Sequence, residues 1–188
     1  MKIAIGIPCN RQIKTKTVES LFNLIVPYGK ELIVATEGYT ISENRSYIVA
    51  QALSKNCTHL LFIDDDMVFP EDTFVRLLRH EKDVVGIKAH SRCSSPKATV
   101  ELMDSTIPNF EETPSGLFQC RTVGAGVLLI NLDIFKKIKR PWFNTETHEI
   151  GWTKMGEDSW FCRQARAVGV DIFCDASLEI GHIGDYIY

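Results

Sequence analysis

Three consecutive carboxylates, Asp64, Asp65 and Asp66, follow directly on the apolar run His59-Leu60-Leu61-Phe62-Ile63 and precede Met67-Val68-Phe69-Pro70. A short, bounded apolar run reads as a strand buried on both faces, so the acids stand at its carboxyl end. Carboxylates crowded into a dry site repel one another and require a positive partner. On an extended backbone alternate side chains share a face, which puts Asp64 and Asp66 together and turns Asp65 away. Two carboxylates on one face suit a hard divalent cation such as magnesium or manganese, which also takes phosphate oxygens as ligands. The plainer alternative is an acidic turn with its charges in water.

Two other groups have chemical potential. Gly156-Glu157-Asp158 opens a helical pattern. Acids there are favourable to the helix dipole, and a carboxylate beside a substrate hydroxyl is also a candidate general base. Trp152 and Trp160 nearby offer flat apolar surface of the kind that packs on sugar rings, or simply core. His182 sits between glycines in Ile180-Gly181-His182-Ile183-Gly184. A lone strand histidine is often a satisfied core residue, but flanking glycines allow close approach of a ligand, and imidazole completes manganese-type sites. The spacing Asp64-x-Asp66-x-Val68 also fits the D-x-D-x-[TV] signature of haloacid-dehalogenase-type phosphotransferases, with Asp64 as the phosphorylated nucleophile. That signature normally lies in the first strand, and no downstream acidic pair completes its magnesium site, since Gly184-Asp185 stands near the end.

The elements that must position these residues follow an alternating order. Lys2 to Pro8 reads as a strand ending in the turn-like Pro8-Cys9-Asn10-Arg11. Residues 16 to 26 carry Val18, Leu21, Phe22 and Ile25 at helical spacing, with Pro27 and Gly29 as stops. Glu31 to Thr36 is a second strand, and Ser42 is placed to cap a helix running to about Lys55 with Ile48, Val49, Ala52 and Leu53 inward. After the acidic strand, Pro70-Glu71-Asp72 starts a helix buried through Phe74, Leu77 and Leu78, and Asp83 to Ala89 is the next strand. This order predicts an α/β fold with a mostly parallel central sheet between helices, whose ligands sit beyond the carboxyl ends of the strands.

Residues 90 to 122 are rich in Ser, Pro and Thr, with strand-like pieces at Ala98 to Leu102 and Leu117 to Arg121, which predicts a small antiparallel addition. Val123-Gly124-Ala125-Gly126 leads into a strand at Val127 to Asn131 and a short helix near Leu132 to Ile138. A helix with Trp160, Phe161, Ala165 and Val168 inward, a strand from Val170 to Cys174 and a last strand at Ile180 to His182 complete the chain.

At 188 residues, 45% hydrophobic and 24% charged, the chain is the size and composition of one globular domain, 1–188. A net charge of −3 without a basic run argues against a nucleic-acid surface. The six cysteines form no C-x-x-C pair, and burial as free thiols in a reducing cytoplasm is expected. The start is too short for a signal peptide and no apolar run approaches membrane-spanning length, so a cytoplasmic location is expected.

The set Leu61-Phe62-Ile63-Asp64-Asp65-Asp66, Val123-Gly124-Ala125-Gly126, Gly156-Glu157-Asp158 and Asp175 with His182 resembles compact, family-2-like glycosyltransferases of the GT-A (Rossmann-like) fold. The resemblance spans nearly the whole chain and implies a metal-dependent hexosyltransferase acting from a UDP- or GDP-sugar. By it, the triplet is similar to the D-x-D motif: Asp66 ligates Mn2+ (or Mg2+), and Asp64 or Asp65 contacts the ribose or the metal's waters. His182 completes the metal site, and Asp158 is the base of an inverting transfer. The same resemblance places Pro8, Asn10 and Arg45 at the nucleotide, and Gly124, Ala125, Gly126, Trp152 and Glu157 around the donor sugar or acceptor. An Arg-Asn pair faces the nucleotide in some relatives; here the order is Asn44-Arg45. A catalytically silent nucleotide- or carbohydrate-binding module on the same fold is the other expectation.

Overall fold

A computed structural model describes residues 1–9, 11–35, 40–91, 97–151 and 153–184. In chain order the elements are β1 (Lys2–Pro8), α1 (Thr15–Asn23), β2 (Gly29–Ala35), α2 (Ile41–Ser54), β3 (His59–Ile63), β4 (Met67–Val68), α3 (Thr73–Arg79), β5 (Val84–Ile87), β6 (Val100–Glu101), β7 (Leu117–Cys120), β8 (Thr122–Val123), β9 (Val127–Asn131), β10 (Glu146–Thr147), β11 (Thr153–Met155), α4 (Glu157–Ala167), β12 (Ile172–Asp175) and β13 (Gly181–His182). Seven of the strands form one sheet in the order β2-β1-β3-β9-β5-β12-β7. Strands β2, β1 and β3 run parallel, as do β5 and β12, whereas β9 lies antiparallel between β3 and β5 and β7 is antiparallel at the edge.

The apolar run of β3 divides its side chains between two cores, as a central strand must. Leu60 and Phe62 face a layer built with Ile48 and Val49 of α2 and Phe161 and Ala165 of α4. Leu61 and Ile63 face the other layer, with Leu24, Phe74 and Leu77 from the α1 and α3 side. The mostly parallel sheet between helices with a small antiparallel addition is the expected fold class.

Local differences have identifiable causes. Helix α2 is capped by Thr40, two residues before the expected Ser42, because Thr40 and Glu43 form a reciprocal capping box. Helix α1 ends at Asn23, so Ile25, 45% exposed, lies beyond it; within it Leu21 of the expected stripe packs on the core beside the inward Thr17 and Ser20, whereas Phe22 is 84% exposed. The small residues let α1 approach the backbone closely: Phe69 N donates to Ser20 Oγ at 3.3 Å, and Lys14 N donates to Asp65 O at 2.8 Å. Val168, expected inward, is exposed at the C-terminal cap of α4. Cys9, Cys57, Cys120, Cys162 and Cys174 are buried free thiols, and burial pushes Cys174 up to about 12. Cys93 lies outside the described residues. Among the described residues no helix is long and apolar enough to cross a membrane.

Candidate functional site

The acidic triplet does not continue the strand. β3 stops at Ile63, and Met67 N donates to Asp64 O at 3.3 Å, so residues 64 to 66 form a turn and the alternation of an extended chain no longer applies. Asp64 and Asp66 consequently engage different partners. Asp64 Oδ1 lies 2.7 Å from Arg45 Nη2, and Asp66 Oδ1 lies 3.4 Å from His182 Nε2. Asp65 is half-buried, and its carbonyl accepts the Lys14 N–H.

Arg45 is the hub on one side. It stands on the inner face of α2 at 2% exposure, with its guanidinium 5.1 Å from the centre of the Phe62 ring. Its Nη2 binds Asp64, its Nε donates to Glu157 Oε1 at 3.1 Å, and its Nη1 donates to the Ala125 carbonyl at 3.3 Å. One side chain thus joins the acidic turn, the glycine turn and the start of α4. Burial acts to lower the Arg45 pKa, but the charges of Asp64 and Glu157 outweigh it and keep the guanidinium ionised. For Asp64 the balance reverses: desolvation raises its carboxyl above the ordinary aspartate range, and Arg45 offsets only part of that.

Glu157 and Asp158 are the first two residues of α4, after the N-cap Gly156. Asp158 Oδ1 accepts the Ser159 N–H at 2.6 Å. Burial, followed by the neighbouring Glu157 charge, raises the Asp158 carboxyl above its usual range; the Ser159 amide and Arg45 act in the opposite sense. A carboxylate whose proton is held more tightly than usual is a stronger base when ionised.

The late histidine reaches the acidic turn through the backbone. β13 pairs antiparallel with β4, setting His182 opposite Met67, and Ile183 N donates to Asp66 O at 2.9 Å. His182 Nδ1 lies 3.0 Å from the His90 carbonyl, an oxygen that can only accept, so Nδ1 carries the proton in that bond. In the neutral ring Nε2 then presents a lone pair toward Asp66, which is 5% exposed. Among the described residues no group of three or more His, Cys, Asp or Glu side chains converges as a metal site.

Residues 124–126 cross in front of the acidic turn between β8 and β9, where Asp64 N donates to Gly126 O at 2.9 Å. A Cβ on Gly126 would stand 3.6 Å from Asp64 Oδ2, so this turn borders the carboxylate closely. Gly124 is packed harder still: a Cβ there would lie 2.9 Å from Thr99 Cβ, and its N–H donates to Thr99 O at 2.7 Å. Gly124→Ala is therefore expected to destabilise the fold by about 1–3 kcal/mol, read as a lowered midpoint in chemical denaturation. An unchanged midpoint would show that the Thr99 wall yields freely.

The structure thus brings Arg45, Asp64, Ala125 and Glu157 into direct contact, with Gly126 and Asp158 adjoining, and brings Asp66 to His182. Pro8 ends β1 at the carboxyl edge of the sheet. Asn10 and Trp152 lie outside the described residues. Arg45 is enclosed by protein groups, not presented on an open nucleotide surface. Its position was readable, because residue 45 falls one turn before Ile48 and Val49 on the helix's buried stripe, where a cation must find carboxylates. The His90 carbonyl left no such signal.

No protein-family profile matches the sequence, and no curated protein sequence does so. Solved structures do match. A197 from STIV superposes with a TM-score of 0.71 at 21% identity, over 98% of this chain and 87% of that one. S. aureus TarS 1-349, solved in complex with UDP-GlcNAc, gives 0.59 at 17% identity, over 100% of this chain and 60% of that one. At these identities the likeness establishes the fold alone, a mixed α/β domain with a mostly parallel central sheet shared with A197 and TarS.

Proposed function

We propose that this chain transfers a sugar from a nucleoside-diphosphate sugar, a UDP- or GDP-sugar, to an acceptor hydroxyl, with inversion at the anomeric carbon. The observation that carries this reading is the meeting of the acidic turn, the glycine turn and Glu157-Asp158 around one buried guanidinium, Arg45. The fold shared with TarS, which was solved with UDP-GlcNAc, supports the donor class.

Asp66 and His182 fit a divalent ion. Their donor atoms are a carboxylate oxygen and an imidazole nitrogen 3.4 Å apart, near the roughly 3 Å between neighbouring ligands of a small octahedral cation. Such an ion commonly takes one or two protein groups and fills its other positions with phosphate oxygens and water, so a set of two is sufficient. Manganese or magnesium held there would supply positive charge to the departing diphosphate. His90 fixes the His182 ring through its carbonyl, the outer-shell support that orients an imidazole ligand. Asp64 and Asp65 are the contacts to the ribose or to water around the ion.

The transfer itself falls to Asp158. Its carboxylate accepts the proton of the acceptor hydroxyl as that oxygen attacks the anomeric carbon from the face opposite the diphosphate. The new glycosidic bond forms as the bond to the diphosphate oxygen breaks, and the proton remains on Asp158. Arg45 acts as a positioning residue by holding Glu157, and with it the first turn of α4, against the acidic turn. A phosphotransferase would instead need Asp64 as nucleophile, yet Arg45 engages that carboxylate at 2.7 Å.

Thermal shift tests the donor and the ion together. In manganese chloride, UDP-GlcNAc, UDP-glucose or GDP-mannose at about one hundred times Kd is expected to raise Tm by roughly 5–10 °C. Asp66→Ala should remove the manganese-dependent part. If none of a full panel of nucleotide-sugars shifts Tm with metal present, the reading fails.

A further inference from the structure

A cleft of about 820 Å³ opens between α2, from Ser42 to Ala50, and residues 140–145. Its volume falls within the range of about 300–1,000 Å³ typical of small-molecule sites. On α2 the lining residues Glu43, Ser46, Tyr47 and Ala50 stand roughly 100° or more round the helix from Arg45 and Ser42 roughly 60°, and Arg45 itself does not line the cleft. We propose that this cleft binds carbohydrate, holding the glycan portion of the acceptor away from the reacting hydroxyl. The acceptor assignment rests on the transferase reading above; the carbohydrate-binding assignment does not.

The lining chemistry selects the ligand class. Ser42, Ser46, Thr145 and Asn144 offer neutral groups that both donate and accept, which is what a polyhydroxylated ligand needs. Ser42 Oγ and Thr145 Oγ1 lie 3.1 Å apart across the cleft, a hydroxyl pair tying its two walls. Tyr47, 45% exposed, also lines the cleft and brings an aromatic ring with a polar tip to it. Charge is scarce. Glu43 is already engaged with Thr40 in the capping box, and Arg140 stacks on the Trp142 ring at 4.3 Å. One stacked guanidinium is a poor match for a polyphosphate, which favours a neutral glycan over a nucleotide. Trp142 also lines the cleft, and its buried Nε1–H has no hydrogen-bond partner among the described residues.

The wall at 140–145 is fixed to the elements of the site. Trp160 Nε1 donates to the Pro141 carbonyl at 3.1 Å, and Arg163 pairs with Glu146 at 2.6 Å, both from α4. The Phe143 ring meets Phe62 of β3 edge-on at 5.6 Å. A ligand in the cleft therefore lies between the helix that carries Arg45 and a wall tied to the helix that carries Asp158.

Saturation-transfer NMR on the full chain, with chitotriose, maltotriose and mannotriose as probes, tests the assignment. At least one trisaccharide should receive transfer, and its affinity should fall about tenfold in Tyr47→Ala and in Ser46→Trp, which fills the cleft without removing a core group. Both variants should keep the wild-type Tm and UDP-GlcNAc affinity. If no trisaccharide binds, or binding survives both substitutions, the cleft is not a carbohydrate site. Trisaccharide binding at Tyr47 in a chain that binds no nucleotide-sugar supports the cleft and overturns its role as an acceptor site, together with the transferase reading.

Discussion

Arg45→Met will destabilise the protein by about 3–5 kcal/mol, the penalty for stranding buried charges without their partner. The wild-type side chain is 2% exposed and pairs with both Asp64 and Glu157, whose own side chains keep only 28% and 16% exposure. Without the guanidinium two carboxylates face each other, and the Ala125 carbonyl loses its donor. The loss should shrink toward acid pH. Unpaired buried carboxylates hold protons more tightly folded than unfolded, so the variant gains stability as they protonate. A triple variant with Asp64→Asn and Glu157→Gln should recover much of the loss, because replacing a whole buried ionic group is far cheaper than halving it. Urea denaturation of the three proteins, wild type, single and triple variant, at pH 5 and pH 7 checks this. A single variant as stable as wild type at pH 7 would mean that the cluster is not energetically coupled.

The second large effect is catalytic. Asp158→Asn should lower kcat by about 10²–10⁴, the contribution of a positioned general base, while donor affinity stays within experimental error. Since the base must be ionised, kcat/KM rises with pH as Asp158 loses its proton. Burial and the Glu157 charge raise that pKa, so the acid limb should lie above the ordinary aspartate range. Glu157→Gln removes one of the two raising influences and should move the limb to lower pH. An asparagine variant that keeps its rate would exclude Asp158 as the base. Donor binding with no turnover in the wild type would leave a binding module in place of an enzyme.

Much of this arrangement was legible from residue order. Apolar runs and their punctuation located β1, β3, β5, β9 and α2 to within a few residues, because a strand buried on both faces and a capped amphipathic helix each leave a one-dimensional signature. Sheet order leaves none. Nothing in Val127-Leu128-Leu129-Ile130-Asn131 states that it will lie antiparallel between β3 and β5, since that choice depends on long-range pairing. The acidic triplet was recognisable as chemistry, but its geometry depended on where β3 ended. One turn after Ile63 sent Asp64 to α2 and Asp66 to β13, which strand alternation could not anticipate. The face of α1 was legible only in part: Leu21 of the apolar stripe packs on the core, but close backbone approach buried the small residues Thr17 and Ser20, which periodicity does not mark.

The position of β9 has a consequence during synthesis. β3 is completed about 60 residues before the strand that covers one of its edges. At roughly 5–20 residues per second, the ribosome would leave that edge unpaired for about 3–13 s after Ile63 is added. For that interval Leu60, Leu61, Phe62 and Ile63 form an apolar strand with a bare row of amides and carbonyls, the kind of segment that nascent chains pair with one another. Yield in the cell should therefore depend on translation speed between codons 64 and 127 and on chaperones that reach the chain before β9 does.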